Sequence, residues 1–145
     1  MTAPPKDSVK KVVAPLTNGS FTMSVSSPHY VLMILDKVDG VYVNEAKNAI
    51  ARYNNEKYYG QPIVVNKDVL DATRNLLVIS SFPDADAALQ YYAKLRGAAP
   101  AEMSWLPAAK YSFLIITEQN LQLLKTNKDI TGYKTLLNTQ FPNRF

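Results

Sequence analysis

Residues 29–36, HYVLMILD, decide the fold of this chain, because they are apolar on both faces when the backbone is extended. A run of this kind is typical of a central strand in a sheet that is covered on both sides. Pro28 precedes the run, and the turn residues Asp39 and Gly40 follow it. The sequence therefore predicts a central strand at His29–Asp36.

A helix and two strand-like runs are predicted after this strand. Asn44 is the expected N-cap of the helix, and Gly60 and Pro62 mark its end. Its inward stripe consists of Ala46, Ala49, Ile50, Tyr53 and Lys57. The run at 63–70 is polar in its middle, which is typical of a guarded edge strand, and the run at 76–82, LLVISSF, reads as the third strand.

A second helix and a last strand complete the pattern. The helix is predicted to begin at Asp84 and to end at Gly97. Its inward stripe consists of Ala85, Ala88, Tyr92 and Leu95. Residues 98–109 are predicted as a connection that packs back on the domain, and Tyr111–Ile116 as the fourth strand. The order β-α-β-β-α-β predicts an α+β fold, a ferredoxin-like sandwich.

Two further helices are predicted after the fourth strand, in addition to the basic fold. Thr117 caps the first, which runs to about Asn127, and Asp129 caps the second, which Pro142 stops. Because three of the strands are apolar on both faces, we expect these helices to cover part of the second face of the sheet.

The chain is predicted to contain one folded domain and an N-terminal extension. Residues 29–142 form the predicted ferredoxin-like domain with its C-terminal helices, and residues 1–28 are predicted as a flexible tail or linker. Val12-Val13 and the stretch 21–25 within that tail could pair as a short extra strand.

The charge of the chain gives little support to nucleic-acid binding. The formal net charge is +4, and residues 1–28 hold three lysines against one aspartate, which leaves +2 for the rest. Both signs are interspersed in that remainder, whereas nucleic-acid binders usually concentrate basic residues on one face. We therefore expect a mildly basic solvated surface.

No catalytic, metal-binding or cofactor-binding residue is predicted. The chain has no cysteine, and His29 is its single histidine, which is expected to be a surface or hydrogen-bonded residue. Three carboxylate pairs are explained as turn or helix-capping residues: Asp36 and Asp39, Asp68 and Asp71, Asp84 and Asp86. No phosphate-binding or hydrolase motif is present. The sequence thus predicts a protein that is not an enzyme and has no cofactor.

An RNA-recognition module shares the predicted topology, but its stacking rings are missing. Such a module stacks bases on aromatic residues of its first and third strands. The third strand here, RNLLVISSF at 74–82, is aliphatic at those positions, and Tyr30 stands alone in the first.

Aromatic residues supply the candidate partner-binding positions. The chain has nine tyrosines, including the doublets Tyr58-Tyr59 and Tyr91-Tyr92, and one tryptophan. One ring of each doublet is expected to pack inward and the other to lie at a helix edge. We therefore predict partner-binding roles for Tyr59, Tyr91 and Trp105, because amphipathic rings are favoured at interfaces.

Four segments of the chain together resemble a known family. They are HYVLMILD, VNEAKNAIARYNNEKY, LLVISSFPDADAALQYYAKL and YSFLIITEQNLQLLKTNKDITGYKTLLNTQFP. This combination resembles the C-terminal domain of Bacteroidetes TPR lipoproteins of the PorW/SprE type, which serve type IX secretion and gliding motility. The shorter step SFPDADAALQYYAKLR is similar to SPOR domains, which bind peptidoglycan glycan strands.

The resemblance implies a non-enzymatic protein-interaction domain of a cell-envelope machine, with an envelope protein as its partner. It implies a periplasmic location, as part of a larger lipoprotein or as an excised domain, since no signal peptide opens the chain. No apolar run approaches the length of a membrane span, so no direct membrane insertion is expected. A SPOR-like module bound to peptidoglycan is the alternative, and a nucleic-acid-binding domain is a third class that we rank below both.

Overall fold

The computed structural model describes residues 17–18 and 21–145, and its fold is α+β. The elements in chain order are β1 (Thr17–Asn18), β2 (Phe21–Thr22), β3 (His29–Asp36), α1 (Gly40–Lys57), β4 (Val64–Val69), β5 (Arg74–Phe82), α2 (Ala85–Glu102), β6 (Tyr111–Thr117), α3 (Glu118–Asn127) and α4 (Ile130–Gln140). They fall into two compact units: residues 26–118 form one, and the described residues before 26 form the other with residues 119–145.

A four-stranded antiparallel sheet forms the centre of the unit 26–118. Its strand order is β4-β5-β3-β6, so that β3 lies between β5 and β6. His29 at the start of β3 lies opposite Phe82 of β5 on one side and opposite Thr117 of β6 on the other. Val31–Leu35 are all buried. The prediction of a central strand at His29–Asp36 is confirmed.

Strand β4 lies at an edge of this sheet, as its polar middle predicts. Val65 is buried, whereas Val64, Asn66 and Lys67 are exposed. Lys67 donates from Nζ to the Oδ1 of Asn44 at 2.8 Å, which ties the edge strand to α1. A lysine and an aspartate in such a strand hinder edge-to-edge pairing with other chains.

Helix α1 begins four residues before the predicted N-cap. The backbone N–H groups of Tyr42 and Val43 donate to the carbonyl oxygen of Asp39, and Val43 is buried. Asn44 is exposed and bonded to Lys67, so it does not cap the helix. Burial of Val43 on the apolar stripe explains the earlier start. The predicted stripe is buried at Ala46, Ala49, Ile50 and Tyr53, while Lys57 is exposed.

Helix α2 continues through Gly97 and Pro100 to Glu102, so the predicted end at Gly97 is wrong and the connection to β6 is shorter than the predicted 98–109. The prediction that this connection packs back on the domain is confirmed at Met103 and Leu106, which are buried. Ala99 and Met103 are fully buried, and their burial holds the last turn in place. The N–H of Met103 donates to the carbonyl oxygen of Ala99 at 2.8 Å. Tertiary packing therefore outweighs the low helix propensity of glycine and proline here.

The other unit joins the start of the described chain to its end. Strands β1 and β2 form a short antiparallel ribbon, and the ring of Phe21 packs edge-on against that of Tyr133 at 5.0 Å between centroids. The side chain of Asn120 bonds both backbone groups of Thr22, at 3.2 Å to N and 2.9 Å to O. The prediction of a tail over residues 1–28 falls largely on residues outside the described ones, as does Val12-Val13, but Phe21 within it is fully buried.

The C-terminal helices form where the sequence predicts them. Asp129 caps α4 by accepting a hydrogen bond from the N–H of Gly132 at 3.0 Å. Leu121, Leu124 and Tyr133 are buried. That these helices cover the second face of the sheet stays a prediction.

Candidate functional site

His29 is buried at the start of β3, where it is 1% exposed. Its Nδ1 donates to the carbonyl oxygen of Ser27 at 2.7 Å. Burial lowers the pKa of the imidazole, and the Ser27 carbonyl and the charge of Asp84 oppose this in part. The expectation of a hydrogen-bonded histidine is confirmed, and the ring is neutral near pH 7.

Two of the paired carboxylates, Asp71 and Asp84, have local structural partners. Asp71 accepts hydrogen bonds from the guanidinium of Arg74, at 2.9 Å from Nε, and from the backbone N–H groups of Thr73 and Arg74. These bonds hold the pKa of Asp71 far below its usual range. Asp84 caps α2 by accepting from the N–H of Ala87 at 2.9 Å. Among the described residues, no group of three His, Asp or Glu side chains is placed to hold a metal ion.

A cleft of about 270 Å³ lies between the turn that follows α1 and the first half of α2. We call it the tyrosine cleft. Its lining includes Tyr58, Gln61, Ile63, Ser81, Phe82, Gln90, Tyr91 and Lys94. Phe82 and Tyr91 are buried and form its floor, whereas Gln61, Gln90 and Lys94 are exposed at its rim.

The cleft forms because β5 runs past the start of β4. The last pair between these strands joins Val64 to Ser80, so Ser81 and Phe82 extend beyond it on the β4 side. The chain between Tyr58 and β4 turns at Gly60, whose φ of +83° is a conformation that favours glycine. The cleft lies between this turn and the end of β5 that extends beyond β4.

Four aromatic rings pack together at the cleft. The centroid of Tyr91 lies 4.9 Å from that of Phe82, 5.3 Å from Tyr58 and 6.5 Å from Tyr53. The hydroxyl of Tyr91 donates a short hydrogen bond to the Oδ1 of Asn54, which is 5% exposed. Burial raises the pKa of Tyr91 well above its usual range, so the phenol stays protonated as a donor. The floor of the cleft is therefore held in one position.

The predicted partner-binding residues lie in different places. Tyr91 is 2% exposed, and the prediction that it lies at the surface is wrong, because its ring fills the space between Phe82, Tyr53 and Tyr58. Tyr59 is 86% exposed, beside the cleft in sequence. Trp105 is 42% exposed at the far end of α2. The structure does not bring the three together.

Trp105 forms an exposed aromatic patch with residues that sequence reasoning missed. Its ring centroid lies 5.8 Å from that of Tyr42 with a tilt of 31°, and Tyr42 and its neighbour Val41 are 50% and 69% exposed. We call Val41, Tyr42 and Trp105 the Trp105 patch. Placing the helix start at Asn44 assigned Val41 and Tyr42 to a loop. Two large apolar residues directly after Asp39-Gly40 were the available signal.

The patch and the cleft lie at opposite ends of an antiparallel helix pair. Tyr42 at the start of α1 contacts Trp105 just after α2, and Tyr58 just after α1 contacts Tyr91 in the first half of α2. Tyr58 follows Tyr42 by sixteen positions along α1. At a rise of 1.5 Å per residue, the two sites are about 24 Å apart along the helix axis.

Comparison with family models, with curated proteins and with solved structures finds no match to this chain. Within the part of the chain that the structure describes, no helix is both long and apolar enough to cross a bilayer.

Proposed function

We propose that the chain is a non-enzymatic protein-interaction domain of a cell-envelope secretion or gliding-motility component, acting in the periplasm. The observation that carries the interaction role is the Trp105 patch, an exposed contact between a tryptophan and a tyrosine beside an exposed valine. Tryptophan and tyrosine are the side chains most enriched among the residues that dominate binding energy at protein interfaces.

We also propose that the unit 26–118 has the ferredoxin-like arrangement. Its antiparallel order β4-β5-β3-β6, with α1 between β3 and β4 and α2 between β5 and β6, supports this assignment. The fold hosts many functions, so it carries no argument about the partner.

The envelope setting is supported by the resemblance of the sequence to PorW/SprE-type domains. An envelope protein is accordingly the proposed partner. The absence of an enzymatic role is supported by the carboxylates, since Asp71 and Asp84 are engaged in a turn and a helix cap. A hydrolase panel that finds turnover lost in a folded Asp84→Asn variant would contradict this part.

Site-specific photo-crosslinking tests the interaction surface. A benzophenone amino acid is placed at position 42 or 105 and, as a matched control, at Val69, which is 57% exposed on the edge strand. In a periplasmic extract of a gliding Bacteroidetes bacterium, we expect the same discrete protein adduct from positions 42 and 105 and none from 69. Equal adducts from all three positions, or none, would contradict the assignment.

A SPOR-like glycan-binding module is the second candidate. The two exposed rings of the patch present flat apolar faces with a tilt of 31°, which also suits stacking against sugar rings. Titration with stripped glycan strands separates the two functions. Saturable binding that Trp105→Ala abolishes would favour the glycan module, and the same titration with single-stranded RNA covers the nucleic-acid class.

A further inference from the structure

We infer that the tyrosine cleft is a second binding site, which takes the carboxylate end of an extended peptide whose last side chain is apolar. The site is separate from the Trp105 patch and lies at the other end of the helix pair. The size, the fixed floor and the charge of the cleft support this assignment.

The size of the cleft fits the end of a peptide. Its volume of about 270 Å³ lies just below the ~300–1,000 Å³ of typical small-molecule sites. One apolar side chain with its flanking backbone is therefore a better match than a larger ligand. Its lining includes Ser81 and Phe82, the part of β5 that lies beyond the last pair with β4.

The floor of the cleft is held by contacts within the protein. Tyr91 is fixed by its hydrogen bond to Asn54 and by ring contacts to Phe82 and Tyr58. An apolar or aromatic side chain can pack on these rings without first ordering them, which lowers the entropic cost of binding.

The charge of the lining selects an acidic group. Lys94 is the one charged residue in the lining, which contains no aspartate or glutamate. Lys94 is exposed, and no acidic side chain among the described residues forms an ion pair with it. An ammonium group beside fixed rings favours a ligand that carries a carboxylate next to an apolar side chain, which is the end of a peptide chain.

Uncharged polar groups at the cleft suit the peptide backbone. Gln61 and Ser81 line the space and supply both donors and acceptors. Gln90 lines it too, but its Nε2 already donates to the Oδ2 of Asp86 at 3.1 Å, so its contribution is the amide oxygen as an acceptor. An extended peptide has both kinds of group in alternation, so these side chains can pair with the amides that precede the terminal carboxylate. A lone carboxylic acid would leave them unused.

Fluorescence polarisation with short labelled peptides tests the inference. The probes are Gly-Ala-Ala-Xaa tetrapeptides that end in Phe, Tyr, Leu or Val, each with a free carboxylate and each also as the C-terminal amide. We expect saturable binding of at least one acid, with Kd below ~1 mM, and amidation to weaken it about tenfold, because the amide removes the charge-assisted hydrogen bond. No saturable binding of any acid, or equal binding of acid and amide, overturns the inference.

Three variants locate the site. Lys94→Gln is expected to weaken the acid about tenfold and to leave the amide unchanged, and Tyr58→Ala to weaken both forms. Trp105→Ala is the matched control at the other end of the helix pair, and it should leave peptide affinity unchanged. Peptide binding that Lys94→Gln does not alter, or that a muramyl glycan displaces, overturns the peptide assignment. If the crosslinking experiment gave no adducts at positions 42 and 105, that result would contradict the role of the Trp105 patch and would leave the peptide site unaffected.

Discussion

The hydroxyl of Tyr91 donates a hydrogen bond to the Oδ1 of Asn54, and this bond joins α2 to α1 inside the protein, 37 residues apart in sequence. Both residues are buried, and the Nδ2 of Asn54 has no partner among the described residues. The amide thus relies on Tyr91 for a hydrogen bond at its oxygen.

Replacing Tyr91 by phenylalanine should lower the free energy of unfolding by about 1–3 kcal/mol, because it leaves the buried oxygen of Asn54 without a donor. Urea unfolding measures the change. Asn54→Leu combined with Tyr91→Phe removes both polar partners and should recover part of the loss. The coupling would be contradicted if the double variant lost as much free energy of unfolding as the two single variants, Tyr91→Phe and Asn54→Leu, lose in total.

The stability of the protein should fall as the pH drops below about 6.5, because of His29. Burial lowers the pKa of His29 from its ordinary 6.5, so the unfolded chain takes up a proton at a pH where the folded chain does not. The stabilisation is complete above the unfolded pKa and is lost as the pH falls through and below it. We expect urea unfolding to give a lower free energy of unfolding at about pH 5.5 than at about pH 7.5. Carboxylates with ordinary pKa values stay ionised across this range, so they contribute little to the difference.

Two variants check that His29 is responsible. His29→Gln should flatten the pH dependence in that window, because the chain has no other histidine. Asp84→Asn keeps a helix-capping oxygen but removes the charge that raises the pKa of His29. It should steepen the dependence, and an unchanged slope in both variants would exclude His29 as its source.

Alanine at Gly132 should stabilise the protein clearly in one background and little or not at all in another. A Cβ at this position would lie 2.2 Å from the Oδ2 of Asp129, the residue that caps α4. In the native chain the lost cap, worth about 0.5–2 kcal/mol, offsets the roughly 1 kcal/mol that alanine gains over glycine in a helix. In the Asp129→Ala background the cap is already absent, so Gly132→Ala should stabilise. Thermal unfolding of the four chains measures both effects, and identical shifts in the two backgrounds would contradict the clash.

Alanine at Gly60 should destabilise the protein by roughly 1–2 kcal/mol, because φ is +83° there. The space around the position is open, so the cost comes from the backbone alone. Gly60→Asn is the control, since asparagine tolerates this conformation better. We expect the alanine variant to show weaker peptide binding in the cleft as well, and equal stability of the two variants would argue against backbone strain.

The sequence predicted the strands well because their signals are local. The run at 29–36 is apolar on both faces and lies in the centre of the sheet, and the polar middle of β4 lies at an edge. The ends of the helices were missed where tertiary burial decides them. Val43 extends α1 at its start, and Ala99 carries α2 past Gly97 and Pro100.

The candidate site was predictable only in part. The choice of Trp105 followed from the general preference for aromatic rings at interfaces, but its contact with Tyr42 depends on the antiparallel packing of α1 and α2. The tyrosine cleft depends on register, since it exists because β5 outruns β4 by two residues. Neither relationship is encoded in the spacing of residues along one element.

The two hydrogen bonds between Asn120 and Thr22 join residues that are 98 positions apart in the chain. During synthesis, Phe21 and Thr22 leave the ribosome long before their partners on α3 and α4 exist. The unit 26–118 has its complete sheet at Thr117, whereas the other unit is complete only when α4, Ile130–Gln140, has been made. A recombinant fragment that begins at residue 29 would leave Tyr133 without the ring of Phe21 against it, so a boundary before residue 17 is the better choice for expression.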